Sequence, residues 1–311
     1  MSLLSLLIAL AADRSLSAKV WQFNFYYQGY HHFFSKNFTA KQGTIASAVF
    51  IILPVIVTYL LLDATDNSVL QLLLSTVILI VCFGCTTTRK SYKSYLHSAF
   101  RGEETTTEMH HKQLLSDKNL PEMGFGQALI WLNYRYYIAI MLFFTLFGAA
   151  GAVFYRLLTT VIEHKKAKCM ASAAENEAQA EVSSVIENDI ESEEQNAAVH
   201  EGNVAPNIMN GCQNHHDVLF WLDWLPVRIA SFGYMFVGHF SKAMPVWLES
   251  LFDSQKATHQ VLIDVAEKSE DLLVNENDCT AEPCLLVRLA KRNVLLVLAV
   301  ISILTLSGLL N

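Results

Sequence analysis

Residues 222 to 240 read LDWLPVRIASFGYMFVGHF, and the number of membrane crossings turns on them. The run is apolar enough for hydrocarbon, yet Asp223, Pro226 and Arg228 sit inside it. A charge at the bilayer centre costs ~2.5–3.5 kcal/mol on insertion scales, so such residues usually face a cavity or a partner. A proline within a helix removes one backbone hydrogen bond and clashes with the preceding turn. The expectation is therefore a broken helix that turns Asp223 and Arg228 toward one point, where they either fix the break by contact or hold a ligand. His239 and Lys242 end the run at an interface that could hold an anion, although ordinary snorkelling and capping account for them better.

The composition places the whole chain in lipid. Of 311 residues 52% are hydrophobic and 16% charged, against about 25% charged in a soluble domain. The net charge of −7 is unevenly spread and by itself decides nothing about nucleic acid; no nucleic-acid partner is expected. The 6 cysteines do not form the dense framework of a small secreted domain. Cys82 and Cys85 have CxxC spacing but end an apolar run, where free cysteine packs as a small hydrophobe. The adjacent pairs His31–His32, His110–His111 and His215–His216 point apart on a helix, unlike the i,i+4 pairs of zinc enzymes. Neither a metal nor a cofactor is expected. The sequence contains no GxxxxGK[ST], GxSxG or HExxH motif that would announce a soluble catalytic domain.

Three uncharged runs, Thr44–Leu62, Ser68–Cys85 and Val294–Leu310, each approach the length that crosses ~30 Å of hydrocarbon. A fourth, Ile138–Leu158, carries only Arg156, placed to snorkel, with Tyr134, Tyr136 and Tyr137 as an aromatic belt at the other interface. Gly148 and Ala152 offer a small-xxx-small packing seam. Ser2–Ala12 is apolar but only about 16 Å long as a helix. Its positive charges follow rather than precede it, which suits an interfacial or re-entrant helix better than a signal peptide.

The predicted fold class is all-α, a polytopic helical membrane protein with four to five transmembrane helices plus interfacial or re-entrant ones. The chain divides into an N-terminal interfacial segment (1–43), a transmembrane hairpin (44–85), a basic cytoplasmic loop (86–136) and a transmembrane helix (137–160). An acidic, disordered or weakly helical insert (161–217) follows, then the proline-broken segment (218–240), a charged amphipathic loop (241–293) and a C-terminal span (294–311). Lys and Arg concentrate on the cytoplasmic side. If 218–240 crosses, only Lys165, Lys166 and Lys168 violate that rule. If it is re-entrant, all charged loops can be cytoplasmic.

The second polar stretch is Ala128–Ile140, ALIWLNYRYYIAI, with Asn133 and Arg135 entering an apolar run. Arg135 is explained either as an interface anchor or as a ligand group.

Together, ALIWLNYRYYIAIMLFF and LDWLPVRIASFGYMFVGHFSKAMPVWLESL resemble segments of the AmpE family, bacterial inner-membrane proteins associated with regulation of β-lactamase induction. The start MSLLSLLIALAADR and Trp21 are similar more loosely. That family is in turn distantly similar to the CobD/CbiB membrane enzymes of cobalamin synthesis. Matching their E-S-x-A-E-N segment on Asn133 puts the two glutamates at Ala128 and Leu132, while D-x-x-P-x-R survives as Asp223, Pro226 and Arg228. The resemblance implies a multi-pass regulator in the bacterial inner membrane, linked to cell-wall status, and favours a non-enzymatic role over an enzymatic one. The residues expected to bind a small anionic ligand are Asn133, Arg135, Asp223, Arg228, His239 and Lys242. The partners implied are the lipid bilayer and a membrane or cytoplasmic regulatory protein. The alternative is a membrane synthase of the cobalamin type.

Overall fold

The computed structural model describes residues 2–13, 15–16, 18–37, 44–84, 86–187, 205–253, 255–270 and 280–309, with backbone alone at 2, 37, 44–45, 169–187 and 205–217. Every regular element among them is helical. In order these are α1 (Ser2–Asp13), a 3-10 turn (Lys19–Trp21), α2 (Phe23–Asn37), α3 (Thr44–Asp63), α4 (Ser68–Phe83), α5 (Thr86–Phe100), α6 (Glu104–Asp117), α7 (Phe125–Asn133), a π-helical segment (Tyr134–Ile138), α8 (Ala139–Glu187), α9 (Ala205–Val237), α10 (Phe240–Leu251), α11 (Thr258–Lys268) and α12 (Ala281–Leu306).

α3 and α4 are joined by a short connection, but they do not pack on each other: α3 lies on α8, and α4 on α1 and α8. The connection is polar because both helix ends need partners: Asn67 caps α4 by accepting the Val69 N–H at 3.0 Å. By length and apolarity, 3 helical runs can cross a membrane, Ala46–Asp63, Phe125–Lys168 and Ala281–Leu306, and α4 with α5, bent by 41°, would make a fourth.

The 44-residue run Phe125–Lys168 does not run straight. In one straight helix Tyr134 and Tyr155 would lie about 31 Å apart at 1.5 Å per residue. Instead both hydroxyls donate to the same oxygen of Asp223, each at 2.8 Å. Phe143 stacks on Tyr155 at 4.8 Å, and Arg135 bonds Glu163 at 3.3 Å. These pairings are those of an antiparallel hairpin, and its apex is Gly148, at φ 66° and ψ −160°. That combination is essentially restricted to glycine. The arms meet closely just past the apex, where a Cβ on Gly151 would fall 2.5 Å from Phe147 Cβ and 2.6 Å from the Phe143 carbonyl oxygen.

The hairpin corrects two expectations. Residues 137–160 are not one straight crossing but the two sides of a tip, and Gly148 is a chain reversal rather than a packing seam. Leu146 and Phe147 are exposed at that tip, which suits lipid, unlike the polar α3–α4 turn. Both ends of the run leave on one side, so Lys166 donates to the Asn119 carbonyl at 2.7 Å and Asn119 donates to the Glu163 carbonyl at 3.3 Å. Lys166 therefore lies at the end of the hairpin where the α6–α7 connection enters it.

α9 runs through Pro226 as one helix, so the expected break is absent. Segment 241–293 holds α10, α11 and the start of α12, and 86–136 holds α5, α6 and α7. α11 packs along α9 and α7, and α12 along α7 and α9. The insert is helical in backbone from 161 to 187 and again from Ala205; its acidic centre, 188–204, lies outside the described residues.

Candidate functional site

The π-helical turn is where this chain departs most from regular packing. One wider turn rephases the side chains that follow, and such insertions occur frequently at functional sites. Here Tyr134, Arg135 and Tyr136 are all buried in succession, so consecutive residues on one strand of backbone are enclosed on several sides. Tyr134 turns to α9, Arg135 to the return arm and Tyr136 to the α6–α7 connection. Tyr137 donates to Asp13 of α1 at 2.7 Å, and Asp13 also pairs with Arg89 of α5 at 3.2 Å.

Two carboxylates organise the interior. Asp223, 1% exposed, takes the Tyr134 and Tyr155 hydroxyls on Oδ1. Glu163 accepts from Arg135 Nη1. Around Glu163 stand three cations. Arg135 lies over the Trp131 ring at 5.1 Å. Arg156 lies between the Tyr136 ring at 4.4 Å and the Phe23 ring at 5.4 Å. Lys118 donates to the Tyr136 hydroxyl at 3.0 Å. Burial pushes the Lys118 amine down, but the Tyr136 phenol and Glu163 more than restore it, so its affinity for the proton is raised. Arg156 is thus not at the membrane surface, as snorkelling would place it, but 7% exposed inside the hairpin. Tyr134 and Tyr136 likewise are interior residues rather than an interfacial belt.

Lys118 is fixed by its backbone. It caps α6, and the next residue, Asn119, adopts φ 49°. The Leu120 N–H reaches the Leu115 carbonyl at 2.9 Å and the Asn119 N–H the Ser116 carbonyl at 3.1 Å. This is the Schellman pattern, in which asparagine substitutes for glycine at the left-handed position.

Several buried polar atoms in the cluster have no hydrogen-bond partner: Asn133 Oδ1, Arg135 Nε, and Arg156 Nε and Nη1. Buried polar groups are rarely left so, and each asks for an explanation. The charge count points the same way. Lys118, Arg135 and Arg156 face Glu163 and Asp223, a surplus of one positive charge, and Lys166 at the rim adds another. The arrangement can bind and orient an anion.

Of the six residues expected to bind a ligand, the structure brings Asn133, Arg135 and Asp223 to this hairpin. It does not bring the others. Arg228, five positions from Asp223, points about 140° away around a regular helix and caps α10. Its Nε donates to the Leu251 carbonyl at 2.8 Å, its Nη2 to the Ser250 and Asp253 carbonyls at 2.9 and 2.6 Å, and its Nη1 to the Trp224 carbonyl at 3.0 Å. The expected meeting of Asp223 and Arg228 does not occur. His239 caps the other end of α10 and is exposed, as is Lys242; neither reaches the cluster. Sequence reasoning missed Lys118, Tyr155 and Glu163. The one available signal was that Glu163 and Lys165 follow an apolar run without a polar turn to end it.

Comparison with known proteins gives a single consistent direction. A family model described as "Regulatory signalling modulator protein AmpE" matches residues 1–187 and 208–311. "Protein AmpE" from Shigella flexneri is 26% identical over 265 residues, 81% of each chain. No solved structure matches. The similarity to the cobalamin enzymes is not shown, and Ala128 and Leu132, where their glutamates would fall, are buried in an apolar cluster with Tyr95 and Leu114.

Proposed function

The chain belongs to the AmpE family, and from that premise we propose that it is an inner-membrane regulator linking cell-wall status to β-lactamase induction, reading a small anionic ligand inside the α7–α8 hairpin. Asn133, Arg135 and Asp223 are its sensing residues. Arg228 is a structural cap, and His239 and Lys242 form part of the surface at the α9–α10 corner. The observation that carries the reading is the buried Arg135 guanidinium, bonded on one side to Glu163 and left with Nε unpartnered. A buried cation whose donors are not all satisfied is costly unless something completes it. The ligand gains leverage because the same short stretch touches α1, α9 and the α6–α7 connection. A regulatory partner would read the resulting shift at those helices.

Arg135→Leu in the native chromosomal setting tests this. The variant should insert and accumulate at wild-type levels yet fail to support normal induction when cells meet a β-lactam. Wild-type induction from a correctly inserted Arg135→Leu protein would refute the sensing role.

A further inference from the structure

Arg156, Lys118 and Tyr136 lie outside the expected ligand set, yet they hold the larger share of unmet donor capacity. Arg156 is more than nine-tenths buried, and two of its nitrogens, Nε and Nη1, have no partner. Its planar face is already occupied by the Tyr136 and Phe23 rings, and Tyr136 also hydrogen-bonds it, so the guanidinium is held in place with Nε and Nη1 unmatched. Lys118 reaches the other side of Tyr136 through its hydroxyl at 3.0 Å. Lys166, exposed, is held on the Asn119 carbonyl at the same rim.

We propose that this second half of the cluster is a phosphoryl-binding site, entered past the Lys118–Asn119 turn, with Arg156 and Arg135 as the interior donors and Lys118 as the rim cation. The assignment deepens the ligand reading given above and rests on it for location, though not for regulation. Three features select phosphoryl over carboxylate. The donors are two guanidiniums and an ammonium, all within electrostatic reach of Glu163, and such a set suits a group presenting three oxygens. The charge surplus, one within the cluster and a second with Lys166, matches the −1.5 to −2 of a phosphate monoester at about pH 7. The Tyr136 hydroxyl, held by Lys118, is free to donate its own proton to a further oxygen. The phosphoryl group can belong to a soluble phosphate or to the headgroup of a lipid entering beside Phe23, since the chemistry recognised is the same.

The test uses full-length protein in phosphatidylcholine nanodiscs, titrated with inorganic phosphate or with acetate at constant ionic strength, and separately reconstituted with phosphatidic acid. Thermal melting and calorimetry are the readouts. Phosphate is expected to raise the melting temperature and to bind at least about tenfold more tightly than acetate. Arg156→Gln should weaken phosphate binding about tenfold or more, as loss of a charge-assisted bond does. Arg156→Lys should recover part of it. Should Arg156→Gln fail to fold, Lys118→Gln, at the rim, serves in its place with a several-fold loss. Stabilisation by phosphatidic acid but not by free phosphate identifies the headgroup as the source and still supports the site. Acetate binding as tightly as phosphate, no response to either phosphate or phosphatidic acid, or wild-type binding by whichever of the two variants is used overturns it. Failure of the two proposals separates cleanly: phosphate binding lost in Arg156→Gln with wild-type induction defeats the regulatory reading alone. Absent phosphate binding beside an induction defect in Arg135→Leu defeats the phosphoryl assignment alone.

Discussion

Replacing Arg228 separates the two roles that an arginine inside an apolar run could have. In the structure it is a cap: it donates four hydrogen bonds to backbone carbonyls, three of them at the end of α10, and its guanidinium stacks on Trp224 at 4.1 Å. Arg228→Leu keeps the apolar volume and removes every donor. The Asp253 carbonyl is near solvent and can turn to water, whereas Ser250 is 3% exposed and its carbonyl cannot. A buried acceptor left unsatisfied costs about 1–3 kcal/mol, and loss of the cation–ring contact adds roughly 0.5–2 kcal/mol. Allowing partial loss at Leu251, the total is about 3 kcal/mol, felt first by α10 rather than by the whole bundle. At about 1.4 kcal/mol per decade this raises local opening by roughly two orders of magnitude. Hydrogen exchange followed by mass spectrometry should show amides of 240–253 exchanging that much faster, with α4 and α7 little changed. Trp247 is a second probe, because its indole N–H donates to the Arg228 carbonyl at 3.2 Å. Unchanged exchange in α10 together with a loss of regulatory output would refute the capping argument and return Arg228 to the ligand site.

Three further outcomes follow from the same geometry. Gly148→Ala should destabilise by about 1–3 kcal/mol through backbone strain alone, since nothing lies within 4 Å of an added Cβ; Gly151→Ala should be worse, because its methyl meets Phe147 and the Phe143 carbonyl, and the two melting temperatures in detergent should rank that way. Asp223→Asn should fold, its amide oxygen still accepting the Tyr134 and Tyr155 hydroxyls, whereas Asp223→Ala strands two buried phenols at a cost of about 2–6 kcal/mol, and the gap in thermal stability between the two variants measures it. Reporter fusions placed after Leu120 and after Lys168 should read the same side of the membrane; opposite sides would exclude the hairpin.

The helical, multi-pass character was legible because it depends on composition and run length, and both survive any detail of packing. The polar α3–α4 turn was legible for a similar reason: Asp63, Asp66 and Asn67 can only sit where water or a helix end satisfies them. The hairpin was not legible, and the reason is physical. A turn that stays among lipid tails or packed helices needs no polar residues, so its sequence, Leu146 to Gly151, is as apolar as the arms it joins, and hydropathy cannot separate one long crossing from two short sides. Glycine at 148 carried the signal, but glycine serves close packing and chain reversal alike.

Pro226 failed as a guide for the converse reason. A proline disrupts a helix when nothing else holds the chain on either side, and here both sides are held. Asp223 is fixed by two phenols across the hairpin, and two residues beyond the proline Arg228 is fixed by the carbonyls closing α10. Asn293 of α12 adds a third tie by donating to the Ala230 carbonyl at 3.0 Å. The two charges persist in an apolar run because each anchors α9 to a different neighbour, an acid to the hairpin and a base to α10. That division leaves Arg135 and Arg156, not Arg228, as the buried cations with donors still unmet. A test of the proposed ligand therefore belongs on the π-helical turn and the return arm opposite it.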